Sequence, residues 1–549
     1  MSDRIRRIFC GIFTSLLIFG ASPSQIICQT DVPVYDLVIR NGRMLDGAGN
    51  PWVTADVAIK DGRFVRIGRV VGKGKREIDA TGNYVSPGWI DMQDQSGDVL
   101  PKNGLAESKL LQGVTTGIAG EGGAPVEADK LAKYFTDLQK SGISMNWGTY
   151  YGETQARVAA IGNEARDPTP AELEKMRSII ETAMKNGAMG ISTALIYPPA
   201  SYSKTEEIAE MAKVAGRYGG IYISHVRGEG KELVEAINEA ISIGEQGHCS
   251  VEVYHLKAAY APGWGKLMIE AGKTIDAARA RGVDVAANMY LYTAGGTSLS
   301  AVVPSWASEG GAAKLLERLQ DPAIRVRLKK EIETESPGWW NIVEAAGGWK
   351  NIVVSGIANA DEKRFENKSI EQISKEWKKH PADAAFDLIV DSKGRVGALY
   401  YLMSESDIET AVKFPWVSLG SDASASIKLA DPNTAGNGHP RGYGNFPRLI
   451  AEYVRRKHVI TLPDAIRKMT SWPAARLRLP ERGLIKEGLW ADVVIFDYDK
   501  IQDEANYDFP YKPPTGIDYV LVNGQIVVEN GKHTGARPGV VIYGPGKTP

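Results

Sequence analysis

A (β/α)8 barrel flanked by a small β-sandwich domain, formed from both ends of the mature chain, is the architecture this sequence predicts. Three observations point to it. β-rich runs alternate with helix-like stretches through the middle of the chain, short alternating strands recur near both ends, and two successive β-rich runs each finish on a histidine. Alternation of strand and helix is the signature of a parallel sheet with helical crossovers.

The first residues stand apart from this pattern. Arg4, Arg6 and Arg7 precede an apolar run from Phe9 to Ala21, after which small and polar residues follow. A basic start, a short apolar core and a polar exit describe a secretory signal peptide, and the run is short for a membrane span. Residues 1–30 are therefore set aside from the fold. The expected location is secreted or periplasmic, with no stable membrane association once the leader is removed. A lipidated Cys28 is disfavoured by the bulky Ile27 before it. Cys10 and Cys28 lie in or beside the leader, so Cys249 is the one cysteine well inside the mature chain. No internal disulfide framework follows.

The β domain is expected over residues 31–86 and 481–549. Asp36–Arg40, Ala55–Ile59 and Arg63–Ile67 read as strands separated by the hairpin-turn pairs Asn41-Gly42 and Asp61-Gly62. The same grammar returns in Ala491–Asp497 and Tyr519–Val528. Between them, residues 87–480 supply eight barrel strands: Gly88–Gln95, Gly113–Gly120, Asn146–Gly152, Ala188–Leu195, Ile221–His225, Val251–His255, Val283–Tyr290 and Trp416–Asp422. The wide gap before the last strand holds a charged, tryptophan-rich insertion over about residues 310–360.

At 549 residues the chain exceeds one compact core. Its 65 basic and 66 acidic residues nearly cancel, which gives no electrostatic case for nucleic acid or an anionic membrane. A small-molecule substrate is the better default; a homo-oligomer is left open.

The chemistry concentrates at His225 and His255. They are two of only seven histidines, and the thirty residues that separate them match one strand–helix–strand repeat. A lone histidine at a strand end is more often a hydrogen-bonded structural residue. Two at matched positions on neighbouring parallel strands share one rim, where the active sites of such barrels form.

Pro87-Gly88-Trp89-Ile90-Asp91 at the first strand, the histidine pair and Gly420-Ser421-Asp422 on the last strand resemble the amidohydrolase superfamily. Ser224-His225-Val226-Arg227, His255-Leu256-Lys257, Tyr197-Pro198-Pro199, Tyr290-Leu291-Tyr292 and His439-Pro440-Arg441, in that company, are similar to the D-aminoacylases, the N-acyl-D-amino-acid deacylases. The resemblance spans nearly the whole mature chain. It implies a metal-dependent hydrolase that cleaves the amide of N-acyl-D-amino acids or related small molecules.

Two departures stand out. The superfamily's first strand usually ends in a His-x-His pair, whereas this chain reads Asp91-Met92-Gln93-Asp94-Gln95. Glutamine is a poor, neutral ligand, so one divalent metal ion, zinc by preference, is expected rather than two. The aminoacylases also place a cysteine ligand after the second strand; here glycine stands there, with Glu121 beside it. Two histidines and one glutamate form a known catalytic zinc set, so Glu121 is the candidate third ligand. A solvated loop carboxylate is the alternative reading.

The resemblance makes Asp422 the general base, able to take a proton from water and return it to the departing amine; capping the next helix is the plain alternative. Lys257 and Arg441 match positions that hold the substrate carboxylate, with Tyr197 and Tyr290 as donors on the same rim. His439 reads as a loop hydrogen-bonding residue. Competing functions are an amidohydrolase acting on a cyclic amide, an ester or a dipeptide, and a catalytically degenerate ligand-binding barrel.

Overall fold

The structure, a computed structural model, describes residues 34–334, 339–426, 429, 431–432 and 438–547. The predicted leader lies outside the described residues. Among those described, no helix is long and apolar enough to cross a membrane.

All eight predicted central strands are present. Trp89–Asp91, Val114–Ala119 and Asn146–Thr149 form one parallel sheet. Tyr151–Gly152, Gly190–Ala194, Ile221–His225, Val251–Val253, Val285–Met289 and Val417–Leu419 form another, paired in that order. The chain passes directly from one sheet to the other through Tyr150. At the other edge, the Met92 amide donates to the Leu419 carbonyl at 3.1 Å and the Asp422 amide to the Gln93 carbonyl at 2.9 Å. These strands are buried from end to end, as a parallel sheet covered on both faces requires.

Helices cover the strands. Leu233–Gly247 joins the two histidine strands, and its Leu233, Ile237, Ala240, Ile241 and Gly244 stripe recurs at helical spacing and is buried. The helix stops at His248, which takes the left-handed conformation (φ 50°) that ends many helices.

The two chain ends meet in one hydrogen-bonded sheet of nine strands. Tyr84–Pro87 pairs with Val493–Phe496 to join the N-terminal strands to the C-terminal ones. Leu37, Ile39, Val57, Phe64, Val493 and Leu521 share one apolar cluster within it. Asp61-Gly62 turns between two strands as expected, but Asn41-Gly42 does not. It sits inside the strand Val34–Met44 as an irregularity, with Asn41 at φ 58°. The same positive φ that suits a hairpin turn also suits a bulge, and the sequence pair alone does not distinguish them.

The insertion is larger than the 310–360 stretch that composition marks. Ala294–Ser298, Val396–Tyr401 and Ile352–Ile357 form a separate antiparallel sheet. Helices including Ala312–Gln320, Pro322–Glu333 and Pro381–Asp391 pack on it around a second apolar cluster. Its first strand, Ala294–Ser298, runs along the rim where the two histidines end.

Candidate metal and active site

Strand geometry delivers His225 and His255 side by side. Their rings are 4.3 Å apart and perpendicular. The loop after the second central strand brings Glu121 between them: Oε1 lies 2.8 Å from His225 Nδ1 and 3.0 Å from His255 Nε2. All three ligand atoms fall within 4.8 Å of one another, the one such group among the described residues. Two imidazole nitrogens and a carboxylate oxygen, facing one point with room for further ligands, fit a divalent metal of the catalytic type.

The departures from the family motifs now acquire a role. Gln93 and Gln95 each donate a side-chain amide N–H to Glu121 Oε2, at 2.5 and 2.8 Å. The glutamines thus orient the Glu121 carboxylate. These two amide donors leave Glu121 Oε2 hydrogen-bonded.

Glu229 went unforeseen, and it is buried at the centre of the site. It lies 3.1 Å from His255 Nδ1 and 3.6 Å from His225 Nε2. Each histidine therefore turns one nitrogen to Glu121 and the other toward Glu229. A carboxylate behind a ligating histidine fixes the ring and its tautomer, and here one carboxylate faces both rings. In sequence it is one acidic residue in a glycine-flanked loop, Arg227-Gly228-Glu229-Gly230, indistinguishable from a solvated one.

Charge follows geometry. Burial opposes ionisation of Glu121, yet the His255 and His225 rings hold its pKa well below the ordinary carboxylate range. Burial lowers the His225 pKa. For His255, burial and Lys257 both act downward, but the Glu121 and Glu229 carboxylates prevail and push it up to about 9.

Asp422 stands across the site, with Oδ1 3.4 Å from Gln95 Nε2. Burial raises its pKa against the pull of Arg441. Its φ of 48° and the 33° of His255 lie in the left-handed region, which is uncommon for residues other than glycine and is visited more often by aspartate and histidine than by most. The Asp422 amide is held by the Gln93 carbonyl and the His255 amide by Asn288 Oδ1 at 3.0 Å. Gly420 leaves space for this: a Cβ there would come within 2.7 Å of both Asn288 Oδ1 and Gln93 Cβ.

The predicted substrate residues all line the same cavity of about 340 Å³. Three of them are already engaged. Lys257 pairs with Glu229, and its Nζ is 2.6 Å from His255 Nδ1. Arg441 Nη1 lies 2.9 Å from Asp422 Oδ2, and its guanidinium stacks 4.6 Å over the Tyr290 ring. The Arg441 Nε and the Tyr290 hydroxyl are buried without a hydrogen-bond partner. Tyr197 donates to Thr297 Oγ1 at 2.9 Å. His439 bonds the Ala294 carbonyl at 2.7 Å, a loop role as expected.

Comparison with known proteins shows the family to which the chain belongs. Residues 379–528 match the amidohydrolase family. The chain is 30% identical to an N-acyl-D-glutamate deacylase of Alcaligenes xylosoxydans xylosoxydans over 529 residues, 92% of this chain and 96% of that protein. A crystal structure of N-acyl-D-glutamate deacylase from Bordetella bronchiseptica, complexed with zinc and a phosphonate mimic of the tetrahedral intermediate, superposes with a TM-score of 0.77. It has 27% identity, covering 93% of this chain and all of that one. A D-aminoacylase structure described by one-metal activation and second-metal attenuation of a binuclear centre also matches, with TM-score 0.77, 27% identity and the same coverage.

Proposed function

Because the chain belongs to the D-aminoacylase family of amidohydrolases, we propose that it hydrolyses the amide bond of N-acyl-D-amino acids. The observation that carries this is the convergence of Glu121, His225 and His255 on one point, with Asp422 lining the same cavity.

Glu121, His225 and His255 would hold one divalent metal, zinc by the company of the relatives. The glutamines at 93 and 95 support a single ion, because both spend their donors on Glu121. When bound, such an ion polarises the amide carbonyl and makes water nucleophilic near neutral pH. The rest of the work falls to the chain itself. Asp422 accepts the proton of the attacking water and passes it to the amine as the C–N bond breaks. Arg441, poised between Asp422 and the Tyr290 face, has its Nε free to meet a substrate carboxylate. A planar guanidinium suits that task because it can donate two parallel bonds. Glu229 holds both rings and neutralises Lys257.

The bonds from Met92 to Leu419 and from Asp422 to Gln93 support reading the eight parallel strands as one closed (β/α)8 barrel with the site on its C-terminal rim. Export to the periplasm or beyond remains a proposal that rests on residues 1–30.

A panel of N-acyl-D- and N-acyl-L-amino acids, cyclic amides and esters tests the reading. The D-amides should be cleaved, and Asp422→Asn should keep the metal while losing roughly 10²–10⁴-fold in kcat. Hydrolysis of cyclic amides alone, or near-full activity in Asp422→Asn, would overturn it.

A further inference from the structure

A second chamber of about 730 Å³ adjoins the reaction cavity, and nothing in the chemistry above uses it. The two meet at Ile196, Tyr197, Trp340 and Ile342, each of which faces both. The insertion strand Ala294–Ser298 gives the direction from one to the other. The Gly296 carbonyl lies 3.4 Å from Arg441 Nη2, the Thr297 hydroxyl accepts from Tyr197, and Ser298 lines the second chamber. Three consecutive residues thus lead from the guanidinium, past the reaction cavity, into the chamber.

Its walls are largely apolar. Leu195, Pro199, Val303, Leu315 and Trp339 contribute carbon surface. Glu232, Glu235 and Glu239 also face it, and among the described residues the one arginine on its wall, Arg227, is already paired with Glu239 at 2.9 Å. A negatively charged ligand would therefore find carboxylates and no free cation.

We propose that this chamber receives the acyl chain of the substrate, and that the enzyme prefers long, uncharged acyl groups to acetyl. The inference rests on the amide-hydrolase reading of the adjoining site. In an N-acyl amino acid the carboxylate and the acyl chain leave the scissile amide in opposite directions. With the carboxylate at Arg441 and the carbonyl before His225 and His255, the acyl chain continues past Tyr197 into the apolar chamber. A buried methylene contributes about 0.8 kcal/mol, which corresponds to about a fourfold gain per CH2.

The test uses N-acetyl, N-butyryl, N-hexanoyl, N-octanoyl and N-succinyl derivatives of one D-amino acid. kcat/KM is measured with the metal-loaded wild-type enzyme, and binding by calorimetry with Asp422→Asn. Both should rise about fourfold per methylene from acetyl to octanoyl, and the succinyl compound should fall below butyryl. Ala301→Phe fills the chamber away from the reaction cavity and should flatten the series while leaving N-acetyl turnover unchanged. Ala312→Phe, on the exposed first turn of its helix, repeats the test should the first variant misfold. Flat binding and kcat/KM across chain length, with N-acetyl cleaved, would overturn the chamber's role and leave the amide-hydrolase reading standing. No cleavage at any length, with octanoyl still bound more tightly than acetyl, would do the reverse.

Discussion

Two groups of buried charge lie back to back along Asp91-Met92-Gln93-Asp94-Gln95, and they are finished to different degrees. Asp91 and Asp94 enclose the fully buried Lys109, whose Nζ lies 2.8 Å from Asp91 and 3.0 Å from Asp94 and donates to Ser421 Oγ and the Ala423 carbonyl, each at 2.6 Å. Asp91 also accepts from the Ser421 amide and Asp94 from the Trp147 indole. Gln93 and Gln95 point the other way, to Glu121, where His225 Nε2, Gln93 Oε1, Arg441 Nε and the Tyr290 hydroxyl are buried without a hydrogen-bond partner. A native interior leaves few such atoms, and each one calls for an explanation. The Lys109 group is complete as the chain supplies it, which marks structure. The Glu121 group is left incomplete by the chain, which marks it as the candidate site.

The sharpest way to break this contrast is to empty the finished group. Lys109→Met leaves two buried carboxylates facing each other without a cation. Removing one partner of a buried ion pair costs about 3–5 kcal/mol, so urea denaturation should show a loss of that order. Molecules that remain folded should still bind the metal at wild-type stoichiometry, because none of its ligands has changed. A Lys109→Met protein of wild-type stability would show that the pairing is dispensable.

Much of the frame was legible from sequence. The central strands are short apolar runs bounded by turn residues, a pattern that survives because strands buried on both faces tolerate little else. The histidine pair was legible because its spacing matches a repeat. Lys109 was not: in a short polar helix, Glu107–Leu110, it reads as a surface lysine until the first strand and the Gly420-Ser421-Asp422 turn, more than 300 residues later, close around it. Glu229 escaped for the same reason, since burial and partner are set by long-range contacts. The insertion was underestimated because its flanking strands, Ala294–Ser298 and Val396–Tyr401, pair with each other across a hundred residues.

Within the unfinished group, Glu229 sharpens the comparison by separating orientation from ligation. Glu229→Gln keeps the shape but removes the charge that faces both rings. Metal affinity should fall about 10–100-fold, the usual effect of losing the carboxylate behind a ligating histidine, and the apoprotein should lose stability as well, because the buried Lys257 keeps its charge without its partner. His225→Ala, in contrast, should abolish tight binding. Chelator competition measures both; equal losses in the two variants would make Glu229 a ligand in its own right.

A third buried group resolves its imbalance with a proton. Arg157 places Nη1 2.6 and 2.7 Å from the two oxygens of Glu207, which leaves Glu153 with the Ser203 hydroxyl at 3.2 Å and the Glu207 carboxyl as its hydrogen-bond partners. Burial, and then the Glu207 charge, raise the Glu153 pKa to about 8. An unfolded glutamate titrates near about 4.3. The folded pKa is the higher, so the folded state binds the proton more tightly. That contribution is fully present below the unfolded pKa and is lost as pH rises toward the folded one. Glu153→Gln carries the neutral form at every pH. Its melting temperature should therefore gain on the wild type steadily between pH 5 and pH 8 and level off above, by a few degrees in all, since an unfolding entropy of about 2.1 cal/mol/K per residue makes 1 kcal/mol worth about 1 °C in a chain of this length. Thermal scans of both apoproteins across that range measure the difference. A gap that stays constant with pH would mean that Glu153 is ionised in its pocket. The surplus charge would then have to be met by a cation, which would place this group beside the Glu121 site instead of beside Lys109.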